Sequence, residues 1–102
     1  MDYKDKLRIM NFIRLSFRQS QTMKDVYAEA LSTIKGVRGG KMYWCNICEK
    51  PFLMKDTQVD HIESVVYGWM KKKDISIGVY ANRVYCDISN LQVLCKACHK
   101  VK

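Results

Sequence analysis

The chain has 102 residues, of which 48% are hydrophobic, so it is long enough for one domain with a small core. Lys and Arg number 18 against 10 Asp and Glu, and the net charge of +8 favours a polyanionic partner, nucleic acid first. A basic protein without such a partner is the alternative. No run approaches transmembrane length and the first residues are too polar for a secretion signal, so we expect a cytoplasmic protein with no membrane partner.

The first 40 residues are predicted to be helical. In residues 5–18, apolar side chains recur at helical spacing, which indicates an amphipathic helix. A second helix is predicted from its expected N-cap, Thr22, to its expected C-cap, Gly36. We interpret its apolar stripe as core rather than as a partner surface. The stripe consists of Met23, Val26, Tyr27, Ala30, Leu31 and Ile34.

The rest of the chain is predicted to contain short strands and helices. The expected elements are an extended aromatic segment at 42–44, a strand at 58–62, a helix at 79–85, a strand at 91–94 and a helix from Lys96. An insertion at 63–85 contains Trp69 and the run Lys71-Lys72-Lys73, which we interpret as a solvated loop rather than a phosphate contact. The pattern predicts an α+β fold, with an N-terminal helical segment (1–40) packed on a module (41–102) in one compact domain.

Four of the five cysteines form two Cys-x2-Cys pairs, Cys45 with Cys48 and Cys95 with Cys98. Two such knuckles are typical of tetrahedral Zn²⁺. Four thiolates complete the coordination shell, so we expect a structural zinc site rather than a catalytic one. Metal-bound thiolates in a reducing cytosol fit this chain better than a disulfide framework. We expect Cys86 to be a small buried hydrophobe rather than a ligand.

Asp60, His61 and His99 are not needed for zinc. Adjacent residues on a strand point to opposite faces, so Asp60 and His61 can serve two tasks. A carboxylate suits a hard divalent cation, and an imidazole with a pKa near ~6.5 suits taking a proton from water. His99 follows Cys98, so in a helix it projects about 100° away from that residue and can face a second site. Asp60 and His99 together would form a two-ligand site, although each histidine taken singly is more often structural or exposed.

Three motifs occur along the chain in the same order as in a known protein family. The chain resembles the HNH endonucleases of the ββα-metal class, in their zinc-containing form. The resemblance rests on the first knuckle, on the segment Val59-Asp60-His61-Ile62, and on the segment from Asn90 to Lys102 that contains the second knuckle. The likeness covers roughly residues 41–102. It implies a zinc-stabilised ββα-metal (HNH) module in which a hairpin and a helix hold one catalytic divalent ion, such as Mg²⁺, Mn²⁺ or Ni²⁺.

Carried over by position, the resemblance implies a role for each polar residue. His61 would be the general base, Asp60 and His99 would hold the divalent ion, and Asn90 would orient the base or the hairpin loop. His61 would take a proton from the water that attacks a backbone phosphorus in line, and the metal would stabilise the developing charge. The products would carry 5′ phosphates and 3′ hydroxyls.

The implied partner is DNA, mainly duplex. Five basic residues are expected to contact phosphates, which position a duplex without reading its sequence, although each is otherwise a solvated charge. They are Arg38, Lys41, Arg83, Lys96 and Lys100. The alternative is a catalytically weak or inactive HNH-like zinc module that binds DNA or a protein partner, for example a phage protein acting on host machinery. The N-terminal helices are similar to those that precede this module in some phage-encoded HNH proteins, which would place the chain in a bacterial host cytosol.

Overall fold

The computed structural model describes residues 1–67 and 69–102, in which two helices precede a series of short strands and two further helices. The helices are α1 (Tyr3–Arg18), α2 (Gln21–Glu29), α3 (Ile77–Val84) and α4 (Lys96–Val101). The strands are β1 (Leu31–Lys35), β2 (Lys41–Trp44), β3 (Pro51–Leu53), β4 (Thr57–His61) and β5 (Leu91–Cys95). The chain is therefore α+β, as predicted, with helices at its N-terminus and small sheets after them.

The two N-terminal helices begin at residues whose side chains cap them. Asp2 accepts a hydrogen bond from the backbone N–H of Lys4 at 3.3 Å, and Ser20 accepts one from the N–H of Met23 at 3.2 Å. Each bond satisfies an N–H that has no partner within the helix. Because Ser20 caps α2, the predicted N-cap at Thr22 is wrong, and Thr22 lies inside the helix.

The predicted second helix is wrong in its C-terminal part, where the chain forms β1. Helix α2 ends at Glu29, and Leu31 and Ile34 of the expected apolar stripe are exposed residues of β1. Their spacing suits a helix, but pairing with β2 satisfies their backbone in a strand, and tertiary context of this kind overrides local propensity. Gly36, the predicted helix cap, lies instead in the turn after β1, where its N–H donates to the Gly40 carbonyl at 2.9 Å.

Strands β1, β2 and β3 form an antiparallel sheet in that order. Leu31 of β1 pairs with Tyr43 of β2, so the sheet crosses the predicted boundary between residues 1–40 and 41–102. The N-terminal segment is thus not purely helical. Its last part belongs to the sheet whose central strand leads directly into the first cysteine knuckle.

Strands β4 and β5 form a second antiparallel pair, and α4 begins at the residue after β5. In this register Asp60 lies opposite Gln92 and His61 lies opposite Leu91. The two strands predicted here and the helix predicted from Lys96 are confirmed. The result is a β-strand pair followed by a short helix, with the long insertion joining the two strands.

The insertion between β4 and β5 is anchored to the rest of the chain. Its helix α3, predicted at 79–85, packs against α1. Val65 and Ile75 are buried in the main core and hold the loop that precedes α3. Cys86, predicted to be buried, is half-buried and packs against the same core.

The main core joins both N-terminal helices to α3 and β5. Its buried members are Met10, Phe17, Val26, Tyr43, Val65, Ile75, Tyr80, Val84, Leu91 and Val93. A second, smaller cluster consists of Cys45, Leu94 and Cys95, with Phe52 packed against it. Among the described residues, no helix combines the length and the apolar character needed to cross a membrane.

Candidate functional site

The structure brings the four knuckle cysteines together. The sulfur atoms of Cys45, Cys48, Cys95 and Cys98 all lie within 4.8 Å of one another, and those of Cys48 and Cys95 are 3.9 Å apart. Four sulfurs at about 2.3 Å from one Zn²⁺ form a tetrahedron with edges of about 3.8 Å. The cluster is therefore compatible with a structural zinc site, as the sequence predicts.

Local backbone geometry shapes the first knuckle. The N–H of Cys45 donates to the carbonyl of Lys50 at 3.0 Å, and the N–H of Glu49 donates to the carbonyl of Cys45 at 3.0 Å. Glu49 adopts a left-handed conformation with φ of 58°, which lets the chain reverse after Cys48. The N–H of Asn46 donates to the carbonyl of Val93 on β5 at 2.9 Å, so the knuckle is bonded to the strand that carries the second pair.

The environment of Cys45 favours a thiolate. Its side chain is only 1% exposed, and this burial raises the pKa of the thiol. Hydrogen bonds from backbone N–H groups of Cys95, Cys48 and Ile47 outweigh burial and lower the pKa of Cys45 to about 6. Since a thiolate is the form that binds metal, the backbone prepares this ligand before any ion arrives.

A second polar cluster lies where β4, β5 and α4 meet. The Oδ1 atom of Asp60 is 3.8 Å from Nε2 of His99, and its Oδ2 atom accepts a hydrogen bond from Gln92 at 2.9 Å. Lys102 also pairs with Oδ2 of Asp60 and donates to the carbonyl of His61 at 3.0 Å. Burial raises the pKa of Asp60, but the hydrogen bonds from Lys102 and Gln92 outweigh it, so the pKa falls below its usual range.

The donor set of Asp60 and His99 fits a divalent cation. Two ligands at right angles around an ion at about 2.1 Å would be about 3.0 Å apart, so the observed separation needs only a small side-chain closure. Asp60 is ionised near neutral pH, and the ammonium group of Lys102 already neutralises it. A carboxylate and an imidazole are donor types that a divalent metal accepts, but the Lys102 ammonium competes with such an ion for Oδ2 of Asp60.

His61 faces away from this cluster. Its half-buried ring packs against Phe17 of α1 with centroids 5.6 Å apart, and its Nε2 lies 3.0 Å from the carbonyl of Val84 in α3. Asp60 instead contacts β5 and α4. The two neighbours at the end of β4 thus contact different elements, since side chains alternate in direction along a strand.

The bond to Val84 assigns the tautomer of His61. A carbonyl oxygen can only accept, so Nε2 of the neutral ring carries the proton. The lone pair then lies on Nδ1, which is therefore the nitrogen able to accept a proton. A ring held from α1 and α3 keeps that orientation.

Asn90 joins the two ends of the insertion. Its Oδ1 accepts from the N–H of Glu63 at 2.9 Å, and its Nδ2 donates to the Glu63 carbonyl at 3.3 Å. The N–H of Ile62 donates to the Asn90 carbonyl at 2.8 Å. The Asn90 side chain therefore holds the loop that follows His61, rather than the His61 ring.

The five basic residues predicted to contact DNA have different surroundings. Arg38, Lys41, Lys96 and Lys100 are exposed, which suits an electrostatic surface. Arg83 is half-buried and donates to the carbonyl of Val65 at 3.2 Å, so it also holds the insertion. Their role in DNA binding stays a prediction.

Sequence reasoning missed two neighbours of Asp60. Gln92 reaches Asp60 because the two residues are cross-strand partners, a signal available only once the register is known. Lys102 falls within the motif that carries the family resemblance, but its bond to Asp60 depends on where α4 ends. Neither contact could be read from residue spacing.

No family model, no curated protein and no solved structure matches this chain.

Proposed function

We propose that this chain is a metal-dependent endonuclease of the HNH, ββα-metal type that hydrolyses DNA phosphodiester bonds. The observation that carries the proposal is the approach of Asp60 Oδ1 to His99 Nε2, at 3.8 Å, across a strand pair and the helix that follows it. The cysteine cluster supports it, because Cys95 and Cys98 hold the strand end and the helix that present His99. The net charge of +8 suits a polyanionic substrate.

In this mechanism His61 is the general base. Its Nδ1 takes a proton from the attacking water, because Nε2 is already protonated and bonded to the Val84 carbonyl. That bond stays in place as the ring becomes positively charged, since the carbonyl then accepts from an imidazolium. Asn90 keeps the loop after His61 in one conformation through its two bonds to Glu63.

Asp60 and His99 are the residues that would hold the divalent ion. Such an ion supplies positive charge where negative charge develops on the phosphate and on the departing oxygen. Gln92 orients the Asp60 carboxylate from the neighbouring strand. Lys102 must release Oδ2 of Asp60 if both carboxylate oxygens are to face the ion.

A second candidate function is a non-catalytic zinc module that binds DNA. The contact that favours it is the pairing of Lys102 with Asp60, which neutralises the carboxylate without any metal. In such a protein the same basic surface would bind DNA, and Asp60 would serve only to hold α4 against β4. A protein partner is the further alternative, expected if DNA is not bound at all.

Plasmid nicking separates these functions. Zinc-loaded protein is incubated with supercoiled plasmid and Mg²⁺, Mn²⁺ or Ni²⁺, beside the variants His61→Ala and Gln58→Ala. Gln58 is an exposed residue of the same strand, so its variant controls for damage to β4. We expect His61→Ala to lower the rate by about 10²–10⁴-fold and Gln58→Ala to leave it within about twofold of the parent.

Two results would reject the nuclease. If the parent binds the plasmid but never cuts it with any of the three metals, the non-catalytic module is the better description. If His61→Ala cuts as fast as the parent, the activity comes from a contaminant or from another residue.

A further inference from the structure

The insertion between β4 and β5 presents an aromatic pair, in which Tyr67 is half-buried and Trp69 is exposed. The ring of Tyr67 stacks with the indole of Trp69, with centroids 5.8 Å apart and an angle of 24° between the planes. The guanidinium of Arg83 lies 4.6 Å from the centroid of the Tyr67 ring. Three planar groups therefore lie against one another, and Trp69 at one end is 81% exposed.

This exposure contrasts with the burial of other apolar side chains near it in the loop. Val65 and Ile75, on either side, are buried, and Met70 is half-buried against the core. A tryptophan side chain can remove 150–250 Å² from water, so leaving it outside forgoes a large hydrophobic gain. Because the flanking apolar residues are buried, we interpret the exposed indole as a contact surface rather than as a loop that failed to pack.

Tyr67, and the Arg83 side chain that lies against its ring, are both hydrogen-bonded within the insertion. Arg83 donates to the carbonyl of Val65 at 3.2 Å and so holds the loop against α3. The hydroxyl of Tyr67 donates to Oε1 of Glu63 at 2.9 Å. That bond to Glu63 raises the pKa of the Tyr67 hydroxyl above its usual range, as expected for a donor paired with a carboxylate.

The aromatic pair is linked to the proposed active site. Glu63 receives the bond from Tyr67 through its side chain and binds Asn90 through its backbone. A cleft of about 440 Å³ connects the two regions, because Tyr67 and Arg83 of the aromatic group and Asn90 are all among its lining residues. A ligand on the aromatic pair would therefore lie close to the loop that leaves His61.

The surrounding charge identifies the chemistry of the ligand. The exposed residues Lys71, Lys72 and Lys73 begin two positions after Trp69, with Met70 between, so a cationic segment lies close to the indole in the chain. Aromatic rings beside lysines are how proteins bind nucleic acid strands whose bases are free to stack, because every base has a π-face and every nucleotide a phosphate. A paired base within a duplex is stacked on its neighbours and is not free to stack on an indole.

We infer that Trp69 and Tyr67 form a stacking platform for an unpaired DNA base next to the cleavage site. The lysine run, which the sequence alone favours as a solvated loop, would then contact the adjacent phosphates. The inference rests on the proposed function in taking DNA as the substrate. It adds a substrate preference, namely DNA with single-stranded character, such as a frayed end, a flap or a locally opened duplex.

Fluorescence tests the platform directly. The chain has two tryptophans, so the variant Trp44→Phe leaves Trp69 as the only indole. Zinc-loaded Trp44→Phe protein, without added divalent ion, is titrated with a 12-nucleotide single strand and with a blunt duplex of the same sequence. We expect saturable quenching of the indole emission by the single strand and weaker quenching by the duplex.

Affinity measurements complete the test. With a labelled single strand, Trp69→Ala is expected to weaken binding by about 5- to 150-fold, and Trp69→Phe is expected to retain most of the affinity. Phe12→Ala is the matched control, because Phe12 is another exposed aromatic residue, 69% exposed, on α1. It is expected to bind as the parent does. Circular dichroism verifies that all variants keep the parental fold.

The platform is refuted if Trp69 emission does not respond to the single strand, or if Trp69→Ala binds it within twofold of the parent. Equal losses for Trp69→Ala and Phe12→Ala would also refute it, since any exposed ring would then have the same effect. These results are distinct from failure of the nuclease proposal. Binding by Trp69 without nicking would reject the nuclease alone, and nicking without any contribution of Trp69 would reject the platform alone.

Discussion

Loss of the zinc site is expected to unfold the C-terminal module rather than merely inactivate it. The substitution is Cys95→Ser, which removes one of the four cysteine sulfurs that lie within 4.8 Å of one another. Cys95 is buried. Cys95 ends β5, lies opposite Thr57 of β4 and accepts a hydrogen bond from the N–H of Cys98 as the N-cap of α4. One side chain therefore joins the metal, the strand pair and the helix.

The magnitude follows from the size of the chain. Small domains have a free energy of unfolding of about 0.05–0.15 kcal/mol per residue, so about 5–15 kcal/mol is expected in total here. Structural zinc contributes about 10–16 kcal/mol in small peptides, which is comparable to that whole sum. Even a loss of about 4 kcal/mol would lower the melting temperature by about 16–32 °C in a domain of this size.

Thermal melting followed by circular dichroism, together with metal analysis, measures the effect. We expect about one zinc per parent chain and less in Cys95→Ser, with a melting temperature at least about 16 °C lower or no cooperative transition. Cys86→Ser is the matched control, because Cys86 is half-buried and lies outside the cluster. It should keep the zinc and lose about 1 kcal/mol, as an average substitution does.

Folded parent protein that contains no zinc would refute a structural role for the metal, as would a chelator that removes the zinc without changing the melting curve. Equal loss of zinc in Cys86→Ser and Cys95→Ser would refute the assigned ligand set, since the fifth cysteine would then be a ligand.

Four further outcomes are expected. Asp60→Ala and His99→Ala should each lower the affinity for the added divalent ion, measured by calorimetry, while keeping the zinc. His61→Ala should bind both metals as the parent does. Loss of divalent-ion affinity in His61→Ala alone would mean that His61 is a ligand and not the base. Asn90→Ala should lose about 1–3 kcal/mol of stability, for two hydrogen bonds, and show faster amide exchange in the loop after His61, and unchanged exchange would contradict its role there. Raising salt from about 50 to about 200 mM should weaken DNA binding by roughly 10³-fold if about six phosphates are contacted, whereas an affinity that barely moves would point to a protein partner. The backbone N–H of Ser89 donates to the carboxylate of Asp87 and holds the pKa of Asp87 below its usual range. The ionised carboxylate therefore stabilises the fold above the unfolded-state pKa, and this stabilisation is lost as the pH falls through the folded-state pKa. The difference in free energy of unfolding between the parent and Asp87→Asn, measured by denaturation, should therefore shrink on acidification below about pH 4.

The cysteine cluster and the module around it were predictable because their signals are local. A Cys-x2-Cys spacing specifies a turn that presents two sulfurs to one ion, and two such turns need only be brought together by the chain. The strands and helix from residue 57 onward were predictable for a similar reason, since alternation and spacing act over a few residues. Ser20 could also have been recognised as the cap of α2, because it stands two residues before the chosen Thr22.

Strand β1 could not be identified in the same way. Leu31 and Ile34 continue the apolar spacing of α2, and nothing local distinguishes a helix from a strand there. The strand forms because β2, ten residues later, offers a free row of backbone partners, and pairing satisfies groups that a longer helix would satisfy by itself. The choice between the two depends on tertiary contacts.

The residue types of the candidate site are visible in the sequence, because spacing alone separates the zinc ligands from Asp60, His61 and His99. The geometry of these residues cannot be read from the sequence, because it depends on contacts between residues far apart in the chain. The approach of Asp60 to His99, the pairing of Asp60 with Lys102 and the tautomer of His61, held by the Val84 carbonyl, all join residues at least 23 positions apart. Only the packing of α1 and α3 against β4, and the register of β4 with β5, brings those atoms within reach.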